Sequence, residues 1–198
     1  MQPYIISRIT KDFSWDNVPP LPICHHLWLP ETPIQAQAQI AYDENGLYVL
    51  LKAWEQNIRA EEVGPLGAPY LDSCLEFFFK PSKEDFRYFN FEVNPNGCLL
   101  AGIGNPETGI VRIVNFTLGV TPEASRFEGG WQVSYHIPLS FIQLFFPEFK
   151  PISGGGIFGN CYKCGDLTEK RHFIAAYPID LPEPQFHSPE FFGTLEFE

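Results

Sequence analysis

Basic residues are scarce in this chain. Lysine and arginine together number 13, against 24 aspartates and glutamates, which gives a formal net charge of -11. Nucleic acids and anionic membrane surfaces are bound by clustered cations, so the scarcity argues against both kinds of partner. Long apolar runs are missing too, because no stretch approaches the roughly 18 to 20 residues that a membrane-spanning helix needs. The composition favours a neutral or cationic partner.

A secretion signal is also lacking at the N-terminus. Residues 1–11 contain no basic head followed by a long apolar stretch. The five cysteines are an odd number, and a chain of 198 residues can bury a core without disulfides, so reduced thiols are expected. We therefore expect a cytoplasmic protein, or a periplasmic or extracellular one if a signal has been removed from the given chain.

Strand patterns dominate the chain, and amphipathic helical patterns are few. The 19 Phe, 19 Pro and 16 Gly are typical of many short strands connected by turns. In 34–42, small or apolar residues alternate with three glutamines, so one face of this strand is wet. The turn 43–46 then predicts a hairpin to 47–54. Further strands are predicted over 72–80, 86–94, 98–103, 110–118, 131–137, 158–162, 172–177 and 191–197, with one short helix over 139–146.

This organisation predicts an all-β protein. Turn signals separate the strands, and the chain shows neither an internal repeat nor a linker. We therefore expect a single domain over 1–198, an antiparallel β-sandwich with jelly-roll or immunoglobulin-like layers and one short helix.

The hairpin of 72–80 and 86–94 carries a polar face. If it is centred on Lys83, as the symmetry of the loop suggests, the apolar faces of its two strands coincide. Glu76 then lies opposite Asn90, and Cys74 opposite Glu92. The other face gathers acids and amides with two aromatic rings at one end: Asp72, Glu76, Asn90, Glu92 and Asn94, with Phe78 and Tyr88.

Clustered carboxylates on a sheet face repel one another unless a ligand is bound. The alternative is an ordinary solvated face, which would usually carry Lys, Thr and Ser. Carboxylates and amides form hydrogen bonds with vicinal hydroxyls, and an aromatic ring can stack on the apolar face of a pyranose. The face therefore predicts a sugar platform. The same oxygens could hold Ca²⁺, although the chain has no D-x-D-x-D loop.

A C-x2-C motif lies near the C-terminus. Cys161 and Cys164 form it, and His172 and His187 follow. A Cys2His2 zinc site can be counted from these residues, but the histidines are not at a zinc-finger spacing. In a strand the two cysteines would also point to opposite faces. The pattern therefore disfavours structural zinc.

Five motifs between Asp72 and Gly193 form one pattern. They are Asp72-Ser-Cys-x-Glu-Phe-Phe, Tyr88-Phe-Asn-Phe-Glu-x-Asn-x-x-Gly97, Asn160-x-Tyr-Lys-Cys-Gly-Asp166, His172-Phe and Phe186-His-x-Pro-Glu-x-Phe-Gly193. Together they resemble the carbohydrate-binding module family 9-like proteins, which belong to the wider DOMON-like β-sandwiches. The resemblance implies a β-sandwich that binds sugar without catalysis and acts in polysaccharide degradation.

The resemblance also implies a site. In the family's xylanase-attached modules, two Trp clamp a terminal sugar unit, polar side chains of the sheet bind its hydroxyls, and structural Ca²⁺ lies elsewhere. Carried over by motif, the first clamp position is Tyr70, the second is Tyr177 or Phe186, and the carboxylate is Glu76. Neither clamp Trp is present, and the calcium ligands do not map. The polar positions of the following strand are Asn90, Glu92 and Asn94.

Other residues have two interpretations each. Lys163 and His172 could donate to sugar hydroxyls, and His172 fits an ordinary hydrogen-bonded strand position equally well. His187 could contact the ligand or fix a loop. Trp15, Trp28 and Trp54 are expected to pack, because large aromatic side chains usually bury.

Two other functions stay open. In a glycoside-cleaving enzyme, Glu76 and Glu92 would be diagonal neighbours with β-carbons roughly 7 Å apart, as acid and base of an inverting mechanism. A haem- or metal-binding domain would use His172 and His187, because the only Met is Met1. Under the sugar-binding interpretation, we expect a carbohydrate as the partner and no cofactor other than Ca²⁺.

Overall fold

The computed structural model describes residues 2–114 and 119–198. Within them the chain forms fourteen strands and one short α-helix. The strands are β1 (Tyr4–Arg8), β2 (Leu21–Ile23), β3 (His25–His26), β4 (Gln35–Asp43), β5 (Gly46–Trp54), β6 (Cys74–Lys80), β7 (Tyr88–Val93), β8 (Leu99–Asn105), β9 (Gly109–Ile113), β10 (Glu123–Phe127), β11 (Gly130–Pro138), β12 (Gly156–Gly165), β13 (His172–Ala175) and β14 (Gly193–Phe197), and the helix is α1 (Leu139–Gln143).

The strands follow one hydrogen-bonded path, in the order β10-β11-β5-β4-β1-β14-β12-β6-β7-β8-β9. Beside this path, β2 pairs with β4, β13 with β12, and β3 with β13. The all-β class with one short helix is confirmed. The sheet is mixed rather than wholly antiparallel, because β1 runs parallel to both β4 and β14. Alternation along a strand reports which face is buried, not which way its neighbours run, so the sequence pattern could not show this.

The main core lies between the two parts of this path. We call β10, β11, β5, β4 and β2 the small half-sheet, and β14, β12, β6, β7, β8 and β9 the large half-sheet. Apolar side chains from both form one buried cluster. The ring of Phe91 on β7, for example, lies 6.0 Å from that of Tyr135 on β11. Because the two parts contact each other in this way, the sheet curls around an aromatic core.

The outer face of the large half-sheet carries a second, smaller apolar cluster. The segment that precedes β14 covers part of this face. Phe186 stacks on Tyr162 of β12 with ring centroids 4.1 Å apart, and Phe192 packs edge-on against Tyr88 of β7 at 5.5 Å. The covered face explains why β6 and β7 are buried on both sides.

The register of the β6–β7 hairpin differs from the predicted one. Phe77 pairs with Phe91 and Glu76 with Glu92, so the hairpin is centred on Glu84 and the predicted centre at Lys83 is wrong. The loop is not symmetric, because the Asp85 carboxylate accepts from the Arg87 backbone N–H at 2.9 Å and delays the start of β7. A shift of two residues leaves every side chain on its predicted face, which is why the face itself was predictable.

Most other predicted strands are present with shifted ends. The predicted strand 110–118 corresponds to β9, and its residues 115–118 lie outside the described part of the chain. The sequence pattern missed the short strands β1, β2, β3 and β10, and the predicted helix over 139–146 is shorter. No helix in the described ranges is both long enough and apolar enough to cross a membrane.

Candidate functional site

A cavity of about 450 Å³ opens on the outer face of the large half-sheet. We call it the Glu76 cavity. Alternation along β6 and β7 sends Phe77 and Phe91 into the core and presents Glu76 and Glu92 to the cavity. Phe78 and Asn90, the next cross-strand pair on the same face, complete its floor.

Two buried carboxyl groups lie side by side on this floor. Glu76 is 2% exposed and Glu92 is 4% exposed, and they are direct cross-strand partners. Burial raises the pKa of both: that of Glu92 to about 7, and that of Glu76 well above its ordinary value, with the nearby Cys164 and Glu92 adding to the Glu76 shift. Both shifts favour the protonated form of these carboxyl groups. Such a pair can both donate to and accept from a ligand hydroxyl.

Two neighbouring polar atoms have no partner. Asn90 Oδ1 and Arg112 Nε are buried and make no hydrogen bond with the described residues. Both residues line the cavity and are held in place: Asn90 Nδ2 donates to Glu92 Oε1 at 2.8 Å, and Arg112 Nη2 donates to the Gly67 carbonyl at 2.6 Å. A buried polar atom without a partner costs about 1–3 kcal/mol. One acceptor and one donor are therefore positioned for a ligand.

A glycine makes room for this arrangement. Gly102 on β8 is the cross-strand partner of Asn90. A Cβ atom at this position would lie 3.2 Å from Asn90 Cγ and still closer to Oδ1. The absence of a side chain at Gly102 thus lets the Asn90 amide lie where it does.

Aromatic side chains form the walls of the cavity. Tyr70 lies on a short 3₁₀ turn, Pro69–Leu71, and is 38% exposed. A second group consists of Trp28, Phe173 and Phe186, and the Trp28 ring lies 5.7 Å from each of the other two. Trp28 Nε1 donates to the Leu181 carbonyl at 2.7 Å, which fixes the indole. These rings offer apolar surface beside the polar floor.

A neutral histidine contacts the floor. His187 lies 4.9 Å from the ring of Phe78, and its Nδ1 is 2.8 Å from the Tyr88 hydroxyl. Burial lowers the pKa of His187 to about 4, so the ring is neutral at pH 7. Because neutral imidazole has one donor and one acceptor nitrogen, it can bond both Tyr88 and a ligand.

The structure brings half of the predicted site residues to this cavity. Five of the ten predicted residues line the Glu76 cavity, although they come from three separate stretches of the chain. They are Tyr70, Glu76, Asn90, Glu92 and His187. Phe186, one of the two candidates for the second clamp position, also lines the cavity, whereas Tyr177 does not.

Asp72 and Asn94 lie outside the cavity. Asp72 is fully buried, pairs with Arg59, and accepts from the backbone N–H groups of Glu61 and Glu62 at 2.9 and 2.8 Å. Asn94 Nδ2 donates to Asp72 Oδ2 at 2.8 Å. Both positions fall just beyond the ends of β6 and β7, so these side chains fix the 59–62 loop instead of extending the polar face.

Lys163, His172 and Tyr177 also line no part of the Glu76 cavity. Lys163 Nζ lies 2.8 Å from His172 Nε2 and 3.2 Å from Glu55 Oε1. The Tyr177 ring packs over Gly193, where any Cβ would collide with it. A sugar contact by these three residues stays a prediction.

Sequence reasoning missed three polar members of the cavity, Arg112, Asp166 and Gln185. Arg112 sits among apolar residues on β9, with Ile110 on the same face, and Asp166 follows β12. A lone arginine inside an apolar strand was the available signal for the first. Trp28 was predicted to pack, and it does, but it also forms part of the wall.

The metal and haem alternatives find little support in the donor atoms. Cys161 lies in the main core and Cys164 in the cavity, as expected for two residues on opposite faces of a strand. Among the described residues, the ligand atoms of Cys74, Glu76 and Cys164 lie within 4.8 Å of one another. One carboxylate and two thiols do not suit Ca²⁺, and burial raises the Cys74 pKa to about 12, which disfavours the thiolate that soft metals bind.

The two histidines considered for haem do not meet either. His187 lines the Glu76 cavity, whereas His172 lines a different one. Both ring nitrogens of His172 are engaged, Nε2 by Lys163 and Nδ1 by the Lys170 carbonyl at 2.7 Å. This pair therefore does not form an axial ligand set.

The fold and the cavity define a β-rich protein with a pocket that has a polar floor and aromatic walls. The chain belongs to carbohydrate-binding family 9, whose model matches residues 16–197. None of the curated proteins matches it significantly.

Two proteins of known structure are among those similar to this chain. A candidate carbohydrate-binding protein from Bacteroides uniformis shares 29% identity over 98% of both chains, with a TM-score of 0.84. A family 9 module from Caldicellulosiruptor kristjanssonii shares 16% identity over the full length of this chain. Its complex with glucose gives a TM-score of 0.70 over 96% of that chain, and its complex with cellotriose gives 0.71 over 94%. At this identity the module supports the fold alone.

Proposed function

We propose that this protein binds carbohydrate without catalysis, through the Glu76 cavity. The observation that carries the proposal is the pair of unpartnered buried atoms, Asn90 Oδ1 and Arg112 Nε, beside the two carboxyl groups of the floor. A sugar presents hydroxyl groups that both donate and accept, so it can satisfy all of them at once.

The walls suit the other side of a sugar ring. Tyr70, Trp28 and Phe186 supply aromatic surface, and the C–H face of a pyranose can pack against it. A cavity of about 450 Å³ accommodates one or two sugar units. The Caldicellulosiruptor module was solved with glucose and with cellotriose, so glucose-type sugars are the first ligands to test.

The register argues against the inverting mechanism of glycoside cleavage, whereas the retaining mechanism uses carboxyl groups only about 5–5.5 Å apart and is tested below by turnover. Glu76 and Glu92 are direct partners and not diagonal ones, so their β-carbons are about 4.5–5.5 Å apart instead of roughly 7 Å. An inverting mechanism needs carboxyl groups on either side of the scissile bond, with about 6.5–9.5 Å between them. Two carboxyls side by side on one floor are better placed to bind one face of a ligand.

Isothermal titration with glucose, xylose, cellobiose, xylobiose and cellotriose tests the proposal. We expect saturable binding of at least one sugar, weakened about tenfold or more by Asn90→Ala and by Tyr70→Ala. Glu84→Gln is the matched control, because Glu84 lies exposed in the loop of the same hairpin. Tyr70 is partly exposed, so its variant is expected to fold.

The absence of heat with every sugar in a folded sample would overturn the proposal. Release of nitrophenol from nitrophenyl glycosides, abolished by Glu76→Gln, would replace it with the glycosidase alternative. The EDTA-treated protein is titrated in parallel, because loss of binding there would assign a metal that the donor atoms of the described residues do not indicate.

A further inference from the structure

A second cavity, of about 390 Å³, lies where β4 begins and β5 ends. We call it the Trp54 cavity. Its lining comes from four chain segments, 32–35, 54–57, 129 and 168–172, and shares no residue with the Glu76 cavity. Lys163, behind this cavity, and Cys164, in the Glu76 cavity, are consecutive in β12, so their side chains point to opposite faces of the large half-sheet. One bound ligand therefore cannot occupy both cavities.

A buried ion pair underlies the Trp54 cavity. Lys163 is fully buried, and its Nζ contacts Glu55 Oε1 at 3.2 Å, His172 Nε2 at 2.8 Å and the Cys164 carbonyl at 2.9 Å. The imidazole and the carbonyl form hydrogen bonds with the ammonium group, and the Glu55 carboxylate forms an ion pair with it. Burial and the Lys163 charge lower the pKa of His172 to about 4, so this histidine is neutral. The floor carries one positive and one negative charge and suits a neutral ligand.

Two polar groups on this side lack partners. Glu55 is buried, with 4% of its side chain exposed, and its Oε1 accepts a hydrogen bond from Trp131 Nε1 at 2.5 Å and forms the ion pair with Lys163. Oε2 makes no hydrogen bond with the described residues. Thr32 Oγ1 is fully buried without a partner in the described ranges, whereas Glu55 Oε2 is not fully buried, and both residues line the cavity. Both unpartnered groups can form hydrogen bonds with a ligand that has hydroxyls.

The rim presents an aromatic surface beside an amide. Trp54 is 37% exposed, and its ring packs against that of Phe127 in a T-shaped arrangement with the centroids 5.8 Å apart. Gln35 is its direct cross-strand partner, so the amide stands next to the indole on the same face. Gln56 and Asn57 add further amides to the lining. An exposed indole with adjacent amides matches the apolar face and the hydroxyl edge of a sugar ring.

We infer that the Trp54 cavity is a second, independent carbohydrate-binding site, in which Trp54 stacks on a neutral sugar while Gln35, Glu55 and Thr32 bond its hydroxyls. The inference rests on residues that the Glu76 cavity does not use. Two sites on opposite sides of a sheet would allow one protein molecule to contact two chains of a polysaccharide.

The four tryptophan indole N–H signals in a ¹⁵N–¹H spectrum report on the two sites separately. Trp28 lines the first cavity, Trp54 lines the second, and Trp15 lines neither. Glucose, xylotriose and cellotriose are titrated as probes. We expect a saturable shift of the Trp54 signal that persists in the Tyr70→Ala variant.

Variants assign the shift to the cavity. Gln35→Ala keeps the reporter indole and should weaken binding at Trp54 about five- to tenfold, with the Trp28 titration unchanged. Gln37→Ala is the matched control, because Gln37 lies two residues further along β4 on the same face and lines neither cavity. Trp54→Ala, followed by titration calorimetry, should reduce the stoichiometry from two sugars to one.

The outcomes separate this inference from the proposed function. If Trp28 shifts and Trp54 does not, the second site is wrong and the first stands. If only Trp54 shifts, the second site stands and the function proposed for the Glu76 cavity fails. A Trp54 shift that follows the Trp28 binding curve and disappears in Tyr70→Ala overturns the second site, because the effect is then transmitted from the first. If no indole shifts, both proposals fail.

Discussion

Gly102→Ala should weaken sugar binding about tenfold, although Gly102 has no side chain that could contact the sugar. The new Cβ would lie 3.2 Å from Asn90 Cγ, nearer still to Oδ1, and 3.0 Å from Ile110 Cγ2. Ile110 is part of the β8–β9 pairing and cannot move freely, so the Asn90 amide must swing away from its position in the cavity. Asn90 then loses both its bond to Glu92 and its place opposite the ligand.

The size of the effect follows from these contacts. Crowding at a buried position costs about 1–3 kcal/mol of folding free energy. Loss of one ligand hydrogen bond at Asn90 costs about 1–1.5 kcal/mol, or about tenfold in the dissociation constant. Asn90→Ala should cause the same loss of affinity, because both substitutions remove the same amide.

A double-mutant cycle measured by calorimetry tests this reasoning. If Gly102 acts only through Asn90, the double variant should bind about tenfold more weakly than the parent, as each single variant does. Losses that multiply to about a hundredfold would show that Gly102 acts through another part of the site. Parent-like affinity in Gly102→Ala would show that Asn90 does not contact the sugar. Urea unfolding of each variant confirms that the titrated protein is folded.

Three further predictions concern charge and packing. The folded-state pKa of Glu92, about 7, lies above the unfolded value near 4.5, so the stability that its proton contributes is complete below pH 4.5 and is lost as the pH rises to 7. Urea unfolding of the parent, compared with Glu92→Gln, should show a loss of about 3 kcal/mol in the free energy of unfolding across this pH range. Parallel pH profiles of the two proteins would contradict the prediction. Lys163→Met should destabilise the fold by about 3–5 kcal/mol, because it leaves the Glu55 carboxylate buried without its cation. The double variant Lys163→Met with Glu55→Gln should recover much of this loss in thermal unfolding. If Lys163→Met alone does not change the stability, the pairing is refuted. Trp28→Ala should weaken sugar binding about tenfold and leave the Trp54 titration unchanged, and equal losses at both sites would show general unfolding instead.

The fold was predictable where alternation was clear. The pattern in 34–42 and 47–54 corresponds closely to β4 and β5, because one face of each strand packs on the core and the other is polar. Strands β2 and β3 have only three and two residues, too few for a period to show. The parallel pairing of β1 depends on contacts with residues about 35 and 190 positions away, and no local pattern reports these.

The polar face of the β6–β7 hairpin was predictable from the sequence, but the Glu76 cavity that it helps to form was not. Glu76, Asn90 and Glu92 share one side of a hairpin, and the period of two places them there in either register. Arg112 and Trp28 reach the same cavity from β9 and from the loop after β3, so their membership depends on how distant strands meet. Asp72 and Asn94 have side chains that can form hydrogen bonds with a sugar, yet they hold the 59–62 loop, because both lie outside the paired residues of β6 and β7.

Both cavities retain polar groups that cost stability. On one side of the large half-sheet, Glu76 and Glu92 are desolvated beside each other; on the other, Lys163 is enclosed with Glu55 and His172. Removing such groups from water costs several kcal/mol per ion, and hydrogen bonds return only part of it. The rows of stacked phenylalanines between the half-sheets offset this cost, because each fully buried ring contributes about 1.5–3 kcal/mol. The stability that this aromatic core contributes therefore allows the large half-sheet to carry desolvated polar groups on both of its faces.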